Sequence, residues 1–140
     1  TLFRSKLDIK HDAKVIGYIG SISPSRNIAS FCEFLQKNKN FIGIIAGRGS
    51  EKEEKRLRDF SLQNDNIKFI GYVSDPYKIY NACDALIYLI KEDHNYSNWI
   101  APNNLYIAMA CSKPLISLNK GEVKHIFKRE IGRASCRERV

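Results

Sequence analysis

The feature that most constrains the fold is a repeated change in the spacing of the apolar residues. Five short runs are rich in β-branched and aromatic residues and almost continuously apolar: residues 14–20, 41–46, 67–73, 85–90 and 114–118. Such runs are typical of strands buried on both faces, as in a parallel sheet. Stretches with helical spacing follow them, at residues 27–38, 50–63, 75–83, 103–111 and 121–128. This alternation predicts an α/β fold, a doubly wound parallel sheet of the Rossmann-like type.

Two of the predicted helices begin with residues suited to a first turn. Ser50 precedes an acidic stretch and Asp75 precedes Pro76, so both side chains are expected to cap their helices. In the helix after Ser50, Leu57 and Phe60 are expected to face the core, with Leu62 as a further candidate.

Both ends of the chain are predicted to be foreign to the protein. Residues 1–5 can be back-translated as ACG CTC TTC CGA TCT, and residues 131–140 as ATC GGA AGA GCG TCG TGT AGG GAA AGA GTG. The reverse complement of the first string contains ATCGGAAGAGCGT, with which the second string begins, and this shared string resembles a common sequencing adaptor. Residues 6–130 are therefore predicted to be an internal fragment of the native protein, truncated at both ends, that forms one α/β domain.

Charge and cysteine usage argue against several classes of protein. The formal net charge of +8 falls to +5 without Arg4 and without the three arginines and one glutamate of the tail. The lysines are scattered among neutral and acidic residues, which favours a solvated surface over a nucleic-acid-binding stripe. Outside the tail, Cys32, Cys83 and Cys111 form no C-x-x-C pair, so buried thiols are expected rather than disulfides or a zinc site.

Candidate binding residues follow the strands, because ligands of such sheets bind beyond the carboxyl ends of the strands. After the first strand, residues 20–27 offer Gly20 for close backbone approach and Arg26 for a forked contact with a phosphate. A glycine turn at residues 46–50 follows the second strand, and the third ends at residues 72–73. Each of these signals alone also fits an ordinary loop.

The fourth corner is the stretch APNNLYIAMACSKPLIS, residues 101–117. Asn103 and Asn104 open a short helix whose free N–H groups and positive dipole end would face an anion. A phosphate is therefore predicted at this helix start. Packing of Leu105 and Met109 against the sheet is expected as well and is compatible with it.

In their order and spacing, the four corners resemble the C-terminal, donor-binding domain of a GT-B glycosyltransferase of group 1, or family 4. GYIGSISPSRNI resembles the first strand and phosphate loop of that family, IIAGRG its second corner, and IKFIGYV with Y-x-x-C-D its third. PNNLYIAMACSKPLI resembles its helix of the form P-N-K-L-x-E-A-M-A-x-G-K-P-V-I. The resemblance covers residues 14–130.

The resemblance implies a nucleoside diphosphate sugar as donor substrate, with no metal and no cofactor. It implies donor diphosphate binding at Gly20, Ser21, Arg26, Asn104 and Leu105. It implies that the nucleotide base and ribose lie near Gly47, Tyr72, Val73 and Ile107. The sugar would pass to an acceptor hydroxyl with retained anomeric configuration, and no catalytic residue is assigned.

Several positions depart from the family pattern. Ser21 stands where arginine is frequent in the family. In the helix motif, Asn104 replaces the lysine and Ser112 replaces the glycine. Ile107 replaces the ribose-binding glutamate of that motif, and Trp99 replaces the glutamate eight residues earlier. Isoleucine accepts no hydrogen bond, and an unpaired ribose hydroxyl costs roughly 1–3 kcal/mol. Weak donor binding is therefore one expectation, and a ribose contact from Glu92 or Asp93 is the other.

The resemblance also implies a missing N-terminal acceptor-binding domain, so the fragment is expected to be inactive alone. The whole enzyme would act in cell-envelope polysaccharide biosynthesis, in the cytoplasm or attached peripherally to the inner face of the membrane, and would bind no nucleic acid. A non-catalytic, degenerate domain of the same fold that binds a nucleotide or a partner is the alternative. A receiver or flavodoxin-like module is less favoured, because no acidic cluster or flavin phosphate loop follows the first strand.

Overall fold

A computed structural model describes residues 2–91, 103–118 and 121–129. Within these segments the strands are β1 (Lys14–Ile19), β2 (Phe41–Ala46), β3 (Ile67–Gly71), β4 (Ala85–Tyr88) and β5 (Leu115–Ser117). The helices are α1 (Leu2–Lys6), α2 (Ile28–Lys37), α3 (Glu51–Gln63), α4 (Tyr77–Ala82), α5 (Asn103–Ala110) and α6 (Gly121–Arg129). A single 3-10 turn, Pro24–Arg26, precedes α2.

The strands form one parallel sheet in the order β3-β2-β1-β4-β5. From β1 the chain winds outward through β2 to β3, then returns to place β4 on the other side of β1. The sheet order therefore reverses between β1 and β4, where Ile16 pairs with Ala85. This arrangement confirms the predicted doubly wound α/β fold.

The apolar runs are continuous because both faces of the sheet are covered. On one face, Val15 and Ile44 pack with the buried residues of α4 and α5. On the other face, Ile16 and Ile45 pack with α2 and α3. Neighbouring strand residues point to opposite faces, so a strand between two helical layers has to be apolar at almost every position.

The two predicted helix caps have different outcomes. The Ser50 hydroxyl accepts a hydrogen bond from the Glu53 backbone N–H at 3.3 Å, which confirms the predicted cap of α3. The prediction for Asp75 is wrong, because Pro76 occupies the cap position of α4 and makes no side-chain cap bond. The Asp75 carboxylate lies 3.3 Å from the Lys78 ammonium instead.

Two side chains predicted to face inward lie at the surface. Leu62 is 84% exposed, because it lies five residues after the buried Leu57 and therefore points away from the core. Met109 is 48% exposed, because α5 buries Leu105 and Ala108 and leaves Met109 at the margin of that face.

The cysteines agree with the predicted buried thiols at two positions. Cys32 and Cys83 are fully buried, whereas Cys111 is half-buried, and all three are free thiols. Burial raises the pKa of Cys32 to about 11 and the pKa of Cys83 to about 12. Both thiols are therefore protonated, inert packing groups at neutral pH.

The start of the chain contacts the α4 side of the sheet through Arg4. The Arg4 side chain is buried, and its Nε donates to the Ala82 carbonyl at 2.8 Å. Its Nη2 lies 3.0 Å from the Asp84 carboxylate, which accepts a hydrogen bond from the Val15 N–H. The origin of residues 1–5 stays a prediction. No helix among the described residues is long and apolar enough to cross a membrane.

Candidate functional site

Three of the predicted corners touch one another at the carboxyl edge of the sheet. The Gly20 N–H donates to the Ala46 carbonyl at 3.0 Å, and the Gly47 N–H donates to the Gly71 carbonyl at 2.9 Å. A Cβ atom on Gly47, whose φ is +153°, would lie 1.7 Å from the Gly20 carbonyl oxygen. Gly47 is therefore a glycine because the β1 and β2 loops meet there.

The fourth corner lies against the first. The Asn104 side-chain Nδ2 donates to the Ile19 carbonyl at 2.6 Å, which joins the first turn of α5 to the end of β1. A Cβ atom on Gly20 would lie 3.6 Å from the same Nδ2. The structure thus brings Gly20 and Asn104 together, as a shared phosphate site requires.

Arg26 extends from the β1 loop to the end of β4. Its Nη1 donates to the Tyr88 hydroxyl at 2.9 Å, and its guanidinium carbon lies 5.5 Å from the centre of the Tyr88 ring. This contact bridges β1 and β4, where the strand order reverses and where sheets of this kind bind ligands. Among the described residues, no carboxylate forms a salt bridge with Arg26.

A second buried tyrosine supports the same loop. The Tyr18 hydroxyl donates to the Ser21 carbonyl at 2.6 Å. Burial raises the pKa of Tyr18 to about 12; the nearby Arg26 charge opposes this increase, and Tyr88 adds to it. Tyr18 therefore remains a protonated donor at neutral pH. The Ser21 side chain itself is exposed.

Sequence reasoning missed both Tyr18 and Tyr88. The available signal was a tyrosine hydroxyl near the end of two otherwise aliphatic strands. That signal is informative only once β1 and β4 are known to be neighbours, and periodicity does not reveal strand order.

One of the predicted base-binding residues, Tyr72, forms an exposed corner with Arg48. Tyr72 is 64% exposed, and the Arg48 guanidinium carbon lies 4.6 Å from its ring centre. The Ile22 N–H donates to the Arg48 carbonyl at 2.9 Å, so this corner is tied to the β1 loop. Val73 is half-buried against the core, so its backbone is the part available to a ligand.

The remaining site residues lie on α5. Leu105 is 1% exposed, so its backbone rather than its side chain is available at the helix start. Ile107 is half-buried and packs against the core cluster on the α4 and α5 side of the sheet. The isoleucine at the predicted ribose position therefore contributes to packing.

A cleft of about 250 Å³ opens on the other side of the β1 loop, between α2 and α3. Its lining includes Ile22, Asn27, Ile28, Leu57, Phe60 and Lys91. Gly20, Arg26 and Asn104 do not line this cleft. The predicted phosphate-binding residues therefore do not belong to this cleft.

Several residues that entered the sequence predictions lie outside the described segments. These are Glu92, Asp93 and Trp99. Within the described segments, no group of three or more His, Cys, Asp or Glu side chains is arranged to hold a metal ion. The metal-free reaction stays a prediction.

The chain matches the model of a protein family described as glycosyl transferases group 1 over residues 1–136. A search of curated protein sequences gave no significant match.

Similar solved structures include Anabaena HepE in complex with UDP-glucose, with a TM-score of 0.73 and 19% identity over 89% of this chain and 35% of that chain. WaaG, a glycosyltransferase involved in lipopolysaccharide biosynthesis, gives a TM-score of 0.69 and 17% identity over 91% of this chain and 34% of its own. The catalytic domain of Arabidopsis thaliana starch synthase IV bound to ADP and acarbose gives a TM-score of 0.73 and 12% identity, over 99% of this chain and 28% of that chain. The chain thus spans about a third of the length of these proteins or less, and the likeness shows a shared fold.

Proposed function

The chain belongs to the family of group 1 glycosyl transferases, and from this premise we propose that it is the donor-binding domain of an enzyme that transfers a sugar from a nucleoside diphosphate sugar to an acceptor hydroxyl. Acceptor binding and the remaining catalytic groups would come from a second, N-terminal domain. The transfer would retain the anomeric configuration and would need no metal.

The convergence of Gly20, Arg26 and Asn104 at the strand reversal is the observation that carries this proposal. The Asn104 side chain donates to the Ile19 carbonyl next to Gly20, and Arg26 reaches β4 from the loop that begins at Gly20. A diphosphate at this corner would meet exposed backbone, the N–H groups of the first turn of α5 and a cation. The base would lie toward Gly47 and Tyr72.

The same groups suit the chemistry of the leaving group. Breaking the bond between sugar and diphosphate places additional negative charge on the diphosphate. A fixed guanidinium and a helix N-terminus stabilise that charge without large reorganisation. Arg26 and the start of α5 would therefore lower the barrier by stabilising the departing diphosphate.

The biological setting is also a proposal. WaaG, whose fold is similar, is a glycosyltransferase involved in lipopolysaccharide biosynthesis. A comparable role in cell-envelope polysaccharide synthesis, in the cytoplasm or peripherally at the inner face of the membrane, fits a group 1 transferase. A non-catalytic domain is not favoured, because the family match is to transferases.

Calorimetric titration of the chain with UDP, ADP and UDP-glucose tests the donor role. Replacing Arg26 with alanine removes a charge-assisted contact, and we expect donor affinity to fall by about tenfold to a hundredfold. Arg58→Ala is the matched control, because Arg58 is an exposed arginine on α3 that pairs with Glu54.

We expect the Arg58 variant to bind like the unmodified chain. An Arg26→Ala variant that is folded and binds with unchanged affinity would count against the phosphate role of Arg26. If the unmodified chain binds none of the three nucleotides, the donor-binding proposal itself fails.

A further inference from the structure

We propose that Tyr88 is a positioning residue, which orders the Arg26 guanidinium so that it can receive the diphosphate of the donor. This inference rests on the proposed donor-binding function and deepens it. It assigns a role to a β4 side chain that the sequence motifs did not include.

Two contacts constrain the guanidinium at the same time. The hydrogen bond to the Tyr88 hydroxyl, at 2.9 Å, fixes one edge of the group. The Tyr88 ring, 5.5 Å from the guanidinium carbon, limits its displacement on another side. Tyr88 is 7% exposed and its strand pairs with β1 and β5, so the partner of Arg26 is itself held in place.

Order matters here because arginine has a long, flexible side chain. Fixing such a side chain on binding costs conformational entropy, and a contact that already exists in the free protein reduces this cost. Arg26 comes at the end of the Pro24–Arg26 turn, in a loop rather than inside a long helix. The loop backbone is held by its own hydrogen bonds, such as that from the Lys91 N–H to the Ser25 carbonyl at 2.8 Å, whereas Tyr88 orders the end of the Arg26 side chain.

The chemistry of the partner matters as well. A carboxylate would order the guanidinium but would also neutralise its charge, whereas a tyrosine hydroxyl accepts the hydrogen bond and leaves the charge available. In the segments that the structure describes, Arg26 has no carboxylate partner. The pairing thus orders a cation without weakening its attraction for phosphate.

Tyr18 supports the same loop from the neighbouring strand. Its hydroxyl donates to the Ser21 carbonyl, and Arg26 and Tyr88 both act on it electrostatically. The two ends of the loop are therefore connected to the sheet, at Ser21 by Tyr18 and at Arg26 by Tyr88.

A double-mutant cycle tests whether Tyr88 acts through Arg26. UDP affinity is measured by calorimetry for the unmodified chain, Tyr88→Phe, Arg26→Ala and the double variant. Phenylalanine keeps the ring and removes the hydroxyl, so we expect about a threefold to tenfold loss of affinity. In the Arg26→Ala background, the same change should cause no further loss.

Tyr80→Phe is the control, because Tyr80 is also buried but lies on α4. It should leave UDP affinity unchanged, and thermal unfolding should show that all variants are folded. Full affinity in Tyr88→Phe would overturn the proposal. Additive losses in the cycle would also overturn it, since Tyr88 would then contact the ligand directly or act independently of Arg26.

A measurement without ligand separates this proposal from the donor role. Nitrogen-15 relaxation of the Arg26 Nε–H group should report an ordered side chain in the unmodified chain and greater motion in Tyr88→Phe, but not in Tyr80→Phe. Equal motion in all three would overturn the positioning role. If UDP does not bind but this difference is found, the donor proposal fails while the ordering of Arg26 by Tyr88 stands.

Discussion

At the scale of single residues, Ile107 stands at the position where the resemblance predicts a ribose-binding glutamate. We expect Ile107→Glu to strengthen binding of UDP-glucose, because a carboxylate can accept a hydrogen bond from a ribose hydroxyl. A gain of about tenfold corresponds to about 1.4 kcal/mol, within the range of one such hydrogen bond. Calorimetry on the folded variant measures the change.

Stability has to be followed in the same experiment, because Ile107 packs against the core cluster. A glutamate there loses apolar contacts, so the melting temperature should fall. Tyr106→Glu is the control: it adds the same charge on the same helix at a half-exposed side chain, and it should not improve binding. Equal or weaker binding by folded Ile107→Glu would mean that another group binds the ribose.

At the scale of elements, the meeting of the β1 and β2 loops depends on Gly47. Alanine at this position would place a Cβ atom 1.7 Å from the Gly20 carbonyl oxygen. We expect Gly47→Ala to destabilise the chain by about 3 kcal/mol or more, because backbone has to move. It should also weaken UDP binding, because the clash displaces Gly20, which is one of the predicted phosphate-binding residues.

Gly71→Ala is the matched control for that change. Gly71 also has a positive φ, +70°, but a Cβ atom there meets nothing within 4 Å. The control should therefore cost only about 1–2 kcal/mol of backbone strain, less than Gly47→Ala. Urea unfolding and calorimetry check both variants, and equal effects of the two substitutions would show that the loop contact is unimportant.

Element boundaries could be read closely from the sequence, because burial on both faces leaves a continuous apolar run for each strand. β2, for example, occupies the predicted residues 41–46. The absence of a cap at Asp75 was not predictable from residue type, because Pro76 takes the cap position of α4 and the Asp75 carboxylate lies beside Lys78 instead. The loop residues Gly20, Arg26 and Asn104 could be found from residue type, whereas the Arg26–Tyr88 contact depends on the strand order.

At the scale of the whole molecule, folding hides several weak acids of the described residues from water, and burial raises the pKa of Tyr80 as well as those of the three groups considered next. Burial is the largest cause of the raised pKa of Tyr18, about 12, of Cys32, about 11, and of Cys83, about 12. Tyr18 and Cys32 belong to the core on the α2 and α3 side of the sheet, and Cys83 belongs to the core on the α4 and α5 side. The stability of the entire fold is therefore linked to alkaline pH.

The sign of that linkage follows from the two states. Below pH 9 these groups are protonated in both states, and the stability they contribute is fully present. As the pH rises from about 9 to about 12, the unfolded chain loses protons that the folded chain retains, so the free energy of unfolding falls. Each group contributes up to about 1.4 kcal/mol per pH unit within its window.

Urea unfolding at pH 8 and at pH 10.5 measures this linkage. The free energy of unfolding should decrease between the two pH values in the unmodified chain, and should decrease less in a variant with Cys32→Ala and Cys83→Ala. Val15→Ala is the control, because Val15 is equally buried but does not titrate; it should lower stability at both pH values and keep the original difference. If the cysteine variant keeps that difference too, the buried thiols do not cause the alkaline loss.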